Sequence, residues 1–320
     1  MTRPSPRVSI VVPAFNRERF LGRTLDSVLG QSFTDWELVV SNDGSTDDTK
    51  RIADEYAAQD ERISVVDAPN GGVAMARNRG LAATDPSSEF VVCLDSDDRW
   101  FPDTLERLIA ELEAHPDWIS VYGVARCIDA DDELIPGDDL AERMRERREY
   151  RGHELVDVGP DEPTTFAAMI HHNYPATPGL HLVRRRALEQ VGTFDSATDP
   201  ADDWDLALRL SRVGPIGFHD GLVLEWRRHD DTLTGTSPRW RKAYFSVLAK
   251  TLAAPDNTAE QRRLVRRIYL RISRNALRGA ADDLRSRSFR SAAQSAARSA
   301  DALAQLLRAA VRSRLSRTDA

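Results

Sequence analysis

Three carboxylates crowd into four positions in the stretch FVVCLDSDDRW, residues 90–100. Asp95, Asp97 and Asp98 follow Phe90 to Leu94, a short apolar run that predicts a strand buried on both faces. Like charges this close repel, so the cluster calls for a counter-charge. An Asp-x-Asp-Asp set at the end of a strand suits a hard divalent cation. Mg²⁺ and Mn²⁺ take carboxylate oxygens and are often held by one or two acids plus substrate phosphates. The same acids could instead cap a helix that begins near Pro102, since helix starts favour Asp. Taken alone, the residue types leave these two readings balanced.

The surrounding elements bear on the choice. RVSIVVPAF (7–15), WELVVSND (36–43), RISVVDA (62–68) and Phe90–Leu94 read as strands. Between them, residues 18–31, 49–59 and 72–84 carry apolar residues at helical spacing. This alternation predicts parallel βαβ units and a doubly wound sheet, in which ligands bind at the carboxyl ends of the strands. Asn16, Asp43, Asn70 and the Asp95 cluster all fall at such ends. Further on, 102–118 predicts a helix, 117–134 a strand pair with a turn, and 180–192 a strand running into a helix. Residues 201–214 predict a short helix with acids at its start, and 221–230 a last strand. Residues 136–165 are polar and poorly periodic, and are expected to form a loop or flexible insertion.

The chain has 320 residues and a formal charge of −7. Its last 60 residues hold 15 Arg and 4 Asp and no Lys or Glu, a surplus of +11, which leaves the first 260 at −18. The basic tail is expected to pack on the acidic body or to contact an anionic membrane surface. Leu303, Leu307, Val311 and Leu315 give it an apolar face at helical spacing. No aromatic platform accompanies its arginines, so nucleic acid is not expected. No stretch reaches membrane-span length and no signal-peptide core is evident, so the expected location is cytoplasmic, at most peripheral to the inner face of the membrane. Cys93 and Cys127 are expected to be reduced and buried.

Seven ordered blocks carry a family resemblance: VSIVVPAFNRERFLGRTLDSVLGQ, VVSNDGSTDDT, NGGVAMARNRGLA, FVVCLDSDD, VGTFD, DDWDLALRL and EWRRHD. Over about residues 7–231 the chain resembles the inverting family 2 glycosyltransferases of GT-A fold. The resemblance implies a mostly parallel central sheet flanked by helices; from about residue 240, outside the resemblance, the Ala-, Arg- and Ser-rich chain is expected to form a helical extension. The implied catalytic domain is 1–239, with the nucleotide-sugar side at about 7–100 and the acceptor side at about 101–239; a basic tail spans 240–320.

The resemblance also implies roles. Pro13, Phe15 and Asn16 would line the nucleotide pocket, Asp43 would bond the uracil or ribose, and Arg77 would reach the nucleotide or diphosphate. Arg79 is expected at the surface. One of the three acids would contact the ribose of the donor, with Asp95 in support and Asp97 also on the donor side. Asp97 and Asp98 would stand nearest the metal, with the assignment among the three acids left open by spacing. Asp203 matches the base that deprotonates the acceptor hydroxyl; Asp202 stands where the family commonly has Glu. His229 would complete the metal site, and Arg227 would face the diphosphate. The implied cofactor is Mn²⁺ or Mg²⁺, and the implied donor a nucleotide-diphosphate sugar, a UDP-sugar foremost. The acceptor would be a glycan, a lipid-linked group or another hydroxyl, recognised within about 130–180. Asp47, Asp48 and Asp205 read more simply as helix caps, and Trp204 as either a core residue or a sugar platform. The alternatives are a non-catalytic nucleotide-sugar-binding or scaffolding protein and a nucleotidyltransferase; VVPAFNRERF lacks the glycines the latter's phosphate loop needs.

Overall fold

The computed structural model describes residues 5–229 and 238–285. Its first half alternates as the sequence predicts: β1 (Val8–Ala14), α1 (Leu21–Leu29), β2 (Trp36–Asn42), α2 (Thr49–Gln59), β3 (Ile63–Asp67), α3 (Val73–Ala82) and β4 (Phe90–Cys93). Every residue of β1 and β4 is buried, which explains their unbroken apolar runs. Gly80 lets α3 lie close on β1, because a Cβ there would come within 2.3 Å of Val11 Cγ1.

The second half contains β5 (Arg99–Trp100), α4 (Thr104–Ala114), β6 (Ser120–Ile128), α5 (Leu140–Arg145), β7 (Arg148–Arg151), β8 (Glu154–Asp157) and α6 (Phe166–Met169). It continues with β9 (His181–Arg184), α7 (Arg185–Val191), α8 (Asp202–Val213), β10 (Ile216–Arg227), α9 (Pro238–Ala253) and α10 (Ala259–Arg285). The main sheet has eight strands in the order β3-β2-β1-β4-β9-β6-β10-β5. β1, β2, β3 and β4 run parallel, as do β6 and β10. β9 lies antiparallel between β4 and β6, and β5 antiparallel to β10. This is the mostly parallel α/β sheet expected.

Two stretches differ from expectation. Residues 117–134 form one nine-residue strand followed by a turn with a single bridge, Ile128 to Leu134, and no strand pair. Residues 136–165 hold α5 and a β7–β8 hairpin, so they are not an unstructured loop. The cause is Arg147, 1% exposed, which donates to Thr164 Oγ1 and to the carbonyls of Gly159, Pro160 and Glu162 and lies over the Phe218 ring. A buried guanidinium that satisfies backbone carbonyls orders a polar segment without any apolar periodicity.

The helical segment expected from about 240 begins at Pro238, and its first two helices join the core. Tyr244 stacks on Trp204 at 4.9 Å, and Phe245, Leu248, Val265, Ile268 and Tyr269 are buried. Residues 286–320, with the Leu303–Leu315 face, lie outside the described residues. Among the described residues no helix is long and apolar enough to cross a membrane. Cys93 and Cys127 are free and buried.

Candidate active site

The register of β1 with β2 and β4 brings Ala14, Asn42 and Cys93 toward one edge of the sheet. An open cleft runs along that edge. Of the sequence-selected residues, Pro13, Phe15, Asp43, Arg77, Asp95, Asp97, Asp203 and Arg227 line it. Asn16 and His229 line a neighbouring depression that shares Arg17 with the cleft. Asp98 lines neither.

Asp97 and Asp98, adjacent in sequence, face opposite ways. Asp97 Oδ2 accepts from His229 Nε2 at 3.0 Å and from Arg17 Nε at 3.1 Å. Burial works to raise its pKa, but the bond from His229 and the charge of Arg17 outweigh it and hold the carboxyl below the ordinary range. Asp98 is 1% exposed, and its Oδ1 accepts the backbone N–H of Arg227 at 3.0 Å. Burial, together with the charges of Asp97 and Asp95, pushes Asp98 well up. It is an internal brace between the β4–β5 turn and β10.

Asp95 and Asp202 share one cation. Arg77 donates through Nη2 to Asp95 Oδ1 at 2.7 Å and through Nη1 to Asp202 Oδ2 at 2.8 Å. The second oxygen of Asp95 accepts from Thr177 Oγ1 at 3.1 Å. Asp43 is 2% exposed, and its carboxylate accepts the amides of Gly71 and Gly72, each at 2.9 Å, and also the Arg79 guanidinium. Arg79 is therefore no solvated surface residue: it pairs with Asp43 and donates to Pro69 O at 3.0 Å. Beside them Gly44 sits at φ +73°, and a Cβ there would come within 2.8 Å of Asn70 N.

Asp203 lies in the first turn of α8 with Asp202 and Asp205, where the helix dipole favours acids. Trp204 N donates to its Oδ1 at 2.7 Å, and Asn173 Nδ2 to its Oδ2 at 3.1 Å. Burial, and then the nearby Asp202 charge, push the Asp203 carboxyl up to about 7. Trp204 is a core residue, with Nε1 bonded to Met169 O at 2.9 Å. Asp47 caps α2 locally, accepting from Thr49 N at 3.0 Å, whereas buried Asp205 pairs with Arg209 and Lys250. Arg17, Asn173 and Thr177 escaped sequence reasoning. Arg17 directly follows Asn16 at a strand end and carried that one signal; the other two come from a segment without periodicity.

Among the described residues lining the cleft are six carboxylates (Asp43, Asp95, Asp97, Asp199, Asp202, Asp203) and three guanidiniums (Arg17, Arg77, Arg227). An anionic ligand entering it meets net negative charge unless a cation accompanies it. No group of three or more His, Cys, Asp or Glu among the described residues is gathered to hold a metal by itself. Asp97 and His229 offer a carboxylate and an imidazole in contact, a donor pair that fits Mn²⁺ or Mg²⁺ completed by ligand oxygens.

Comparison with known proteins places this geometry. The model of "Glycosyl transferase family 2" matches residues 9–191, and the chain belongs to that family. It is 30% identical over 248 residues to a hyaluronan synthase of Pasteurella multocida, covering 77% of this chain and 23% of that protein. It is also 30% identical over 211 residues to a chondroitin synthase of Escherichia coli, covering 66% and 27%. The chain thus spans about a quarter of the length of these curated relatives. Among solved structures, S. aureus TarS 1–349 in complex with UDP-GlcNAc aligns with a TM-score of 0.62 at 20% identity, covering 81% of this chain and 70% of that one. The mannosyltransferase PcManGT of Pyrobaculum calidifontis, in complex with GDP-Man and Mn²⁺, aligns at 0.59 and 21%, covering 96% and 80%. The fold is that of the GT-A glycosyltransferases.

Proposed function

We propose that the chain transfers a sugar from a nucleotide-diphosphate sugar to an acceptor hydroxyl with inversion, in polysaccharide or glycoconjugate synthesis. The observation that carries this reading is Asp203: a half-buried carboxyl pushed up to about 7, on the same cleft as Asp43, Asp95 and Asp97. A base that titrates near working pH is matched to taking a proton from a hydroxyl. Asp203 would accept the acceptor's proton as that oxygen attacks the anomeric carbon, and single displacement inverts the centre. Asn173 and the Trp204 amide hold the carboxylate in one orientation. Pro13, Phe15, Asn16 and Asp43 would bound the nucleoside, with Arg77 keeping Asp95 in place on the ribose side.

Asp97 and His229 would hold Mn²⁺ or Mg²⁺, which when bound supplies positive charge against the leaving diphosphate. Asp98 supports this pair from behind through the backbone of Arg227. The nucleotide sugars bound in the two aligned structures, UDP-GlcNAc and GDP-Man, support a nucleotide-sugar donor. Exposed Arg263, Arg266, Arg274 and Arg278 on α10 support peripheral contact with an anionic membrane. The test is transfer or donor hydrolysis across a panel of UDP- and GDP-sugars with Mn²⁺, comparing wild type with Asp203→Asn. Turnover by wild type and a loss of about 100-fold or more in the variant are expected; equal turnover overturns the base assignment.

A further inference from the structure

Among the described residues three cations line the cleft, and two of them are already committed. Arg77 is 6% exposed, with both terminal nitrogens on Asp95 and Asp202. Arg227 is 1% exposed, donates through Nε to Asp97 O at 2.8 Å and through Nη1 to Asp129 O at 2.9 Å, and forms an ion pair with the Asp132 carboxylate. Moving either guanidinium would strand buried acids or carbonyls.

Arg17 is different. Its side chain is 18% exposed, and its anchors are Nε on Asp97 Oδ2 at 3.1 Å and Nη1 on the carbonyls of Phe15 and Asn16. Its Nη2 makes no hydrogen bond among the described residues. The backbone beneath it is fixed: Arg17 N donates to Thr49 Oγ1 at 2.6 Å, and Asn16, at φ 51°, donates to Ser45 Oγ at 3.0 Å. The anchored backbone thus carries a guanidinium held by one shared carboxylate oxygen and two accessible carbonyls.

We infer that Arg17 binds the diphosphate of the donor and that, before the donor arrives, it serves as the counter-charge of Asp97. The inference rests on the donor reading above. A guanidinium presents paired N–H groups that match phosphate oxygens, and two phosphates offer more charge than one oxygen shared with His229. Transfer of Arg17 to the ligand leaves Asp97 with His229, the pair suited to a divalent cation. The ligand and the cation therefore enter together, and Arg17 yields its place on Asp97 to the second while receiving the first.

Isothermal titration of the full chain with UDP, GDP, uridine and guanosine, in Mn²⁺, tests this for wild type, Arg17→Ala and Arg17→Lys. Arg17→Ala is expected to weaken the diphosphate that binds by about 10- to 100-fold, with nucleoside affinity unchanged and Arg17→Lys in between. Mn²⁺ alone, followed by electron paramagnetic resonance, is expected to bind Arg17→Ala at least as tightly as wild type. Unchanged diphosphate affinity, equal loss of diphosphate and nucleoside, or weaker Mn²⁺ binding overturns the inference. If wild type binds neither UDP nor GDP, the donor reading falls with it; diphosphate binding that ignores Arg17→Ala overturns the role of Arg17 alone.

Discussion

Asp203→Asn separates catalysis from stability in a way that needs no knowledge of the acceptor. The ordinary carboxyl value is 3.8, and burial holds Asp203 at about 7 in the folded chain. Folded-state pKa above unfolded means the folded chain holds the proton more tightly between pH 3.8 and 7. Raising the pH through that window therefore costs stability, and the cost is complete above pH 7. Three units correspond to an upper bound of about 4 kcal/mol. Well below pH 3.8 the acid is neutral in both states and the cost vanishes. The variant's amide cannot ionise, and Asn173, whose Oδ1 is buried without a partner, can turn its amide to accept from it. Thermal denaturation at about pH 3 and at pH 8 should then show nearly equal midpoints at the acid end. At pH 8 the variant should melt higher by about 5 °C or more, although it has lost transfer activity. A variant that melts lower than wild type at pH 8 would refute the argument that Asp203 is a desolvated, strained base.

Four further outcomes follow from the same contacts. Wild-type kcat/KM should rise about tenfold between pH 6 and pH 8, as Asp203 must lose its proton to act, and a flat profile in a stopped assay of nucleotide release would contradict this. Asn173→Ala removes a bond to the charged form, so the same profile should move to higher pH by roughly one unit while the protein stays folded by circular dichroism. Arg77→Ala leaves Asp95 and Asp202 without their cation and should destabilise by about 3–5 kcal/mol in urea titrations. Chelation of divalent metal, or Asp97→Ala, should abolish most calorimetric binding of the nucleoside diphosphate and spare the nucleoside.

The first hundred residues were legible because each element there declares itself locally. Apolar runs alternate with helical spacing, and the strand ends carry Asn16, Asp43 and Asp95. The acids at 95–98 suggested a cation, but spacing could not rank them. One residue of offset on a turn sends Asp97 to the cleft and Asp98 into the interior, and that depends on β10 arriving behind it. Asp203 and His229 were reached through resemblance, since nothing within their own segments distinguishes a base from a cap or a ligand from a structural imidazole. Arg79 reads as a surface residue in the sequence because its partner, Asp43, lies 36 positions away. The 136–165 region was misread because one buried arginine, invisible to periodicity, organises it.

The reversed strand β9 has a consequence for how the cleft is walled. Because it runs against β4 and β6, its amino end, not its carboxyl end, reaches the cleft edge. The chain before it, with Asn173 and Thr177, therefore drops onto Asp203 and Asp95 from a direction opposite to the loops after β1, β2 and β4. One wall is built from consecutive βα turns in the first hundred residues, whose register fixes each other. The other is delivered by the segment between β6 and β9, which is secured to the rest of the molecule by the bridge of Thr164 to Ile216, and by side chains such as Arg147 over the Phe218 ring and Trp204 Nε1 on Met169 O. One half of the cleft thus inherits its shape from the register of the sheet, and the half facing it from side-chain contacts made across the molecule.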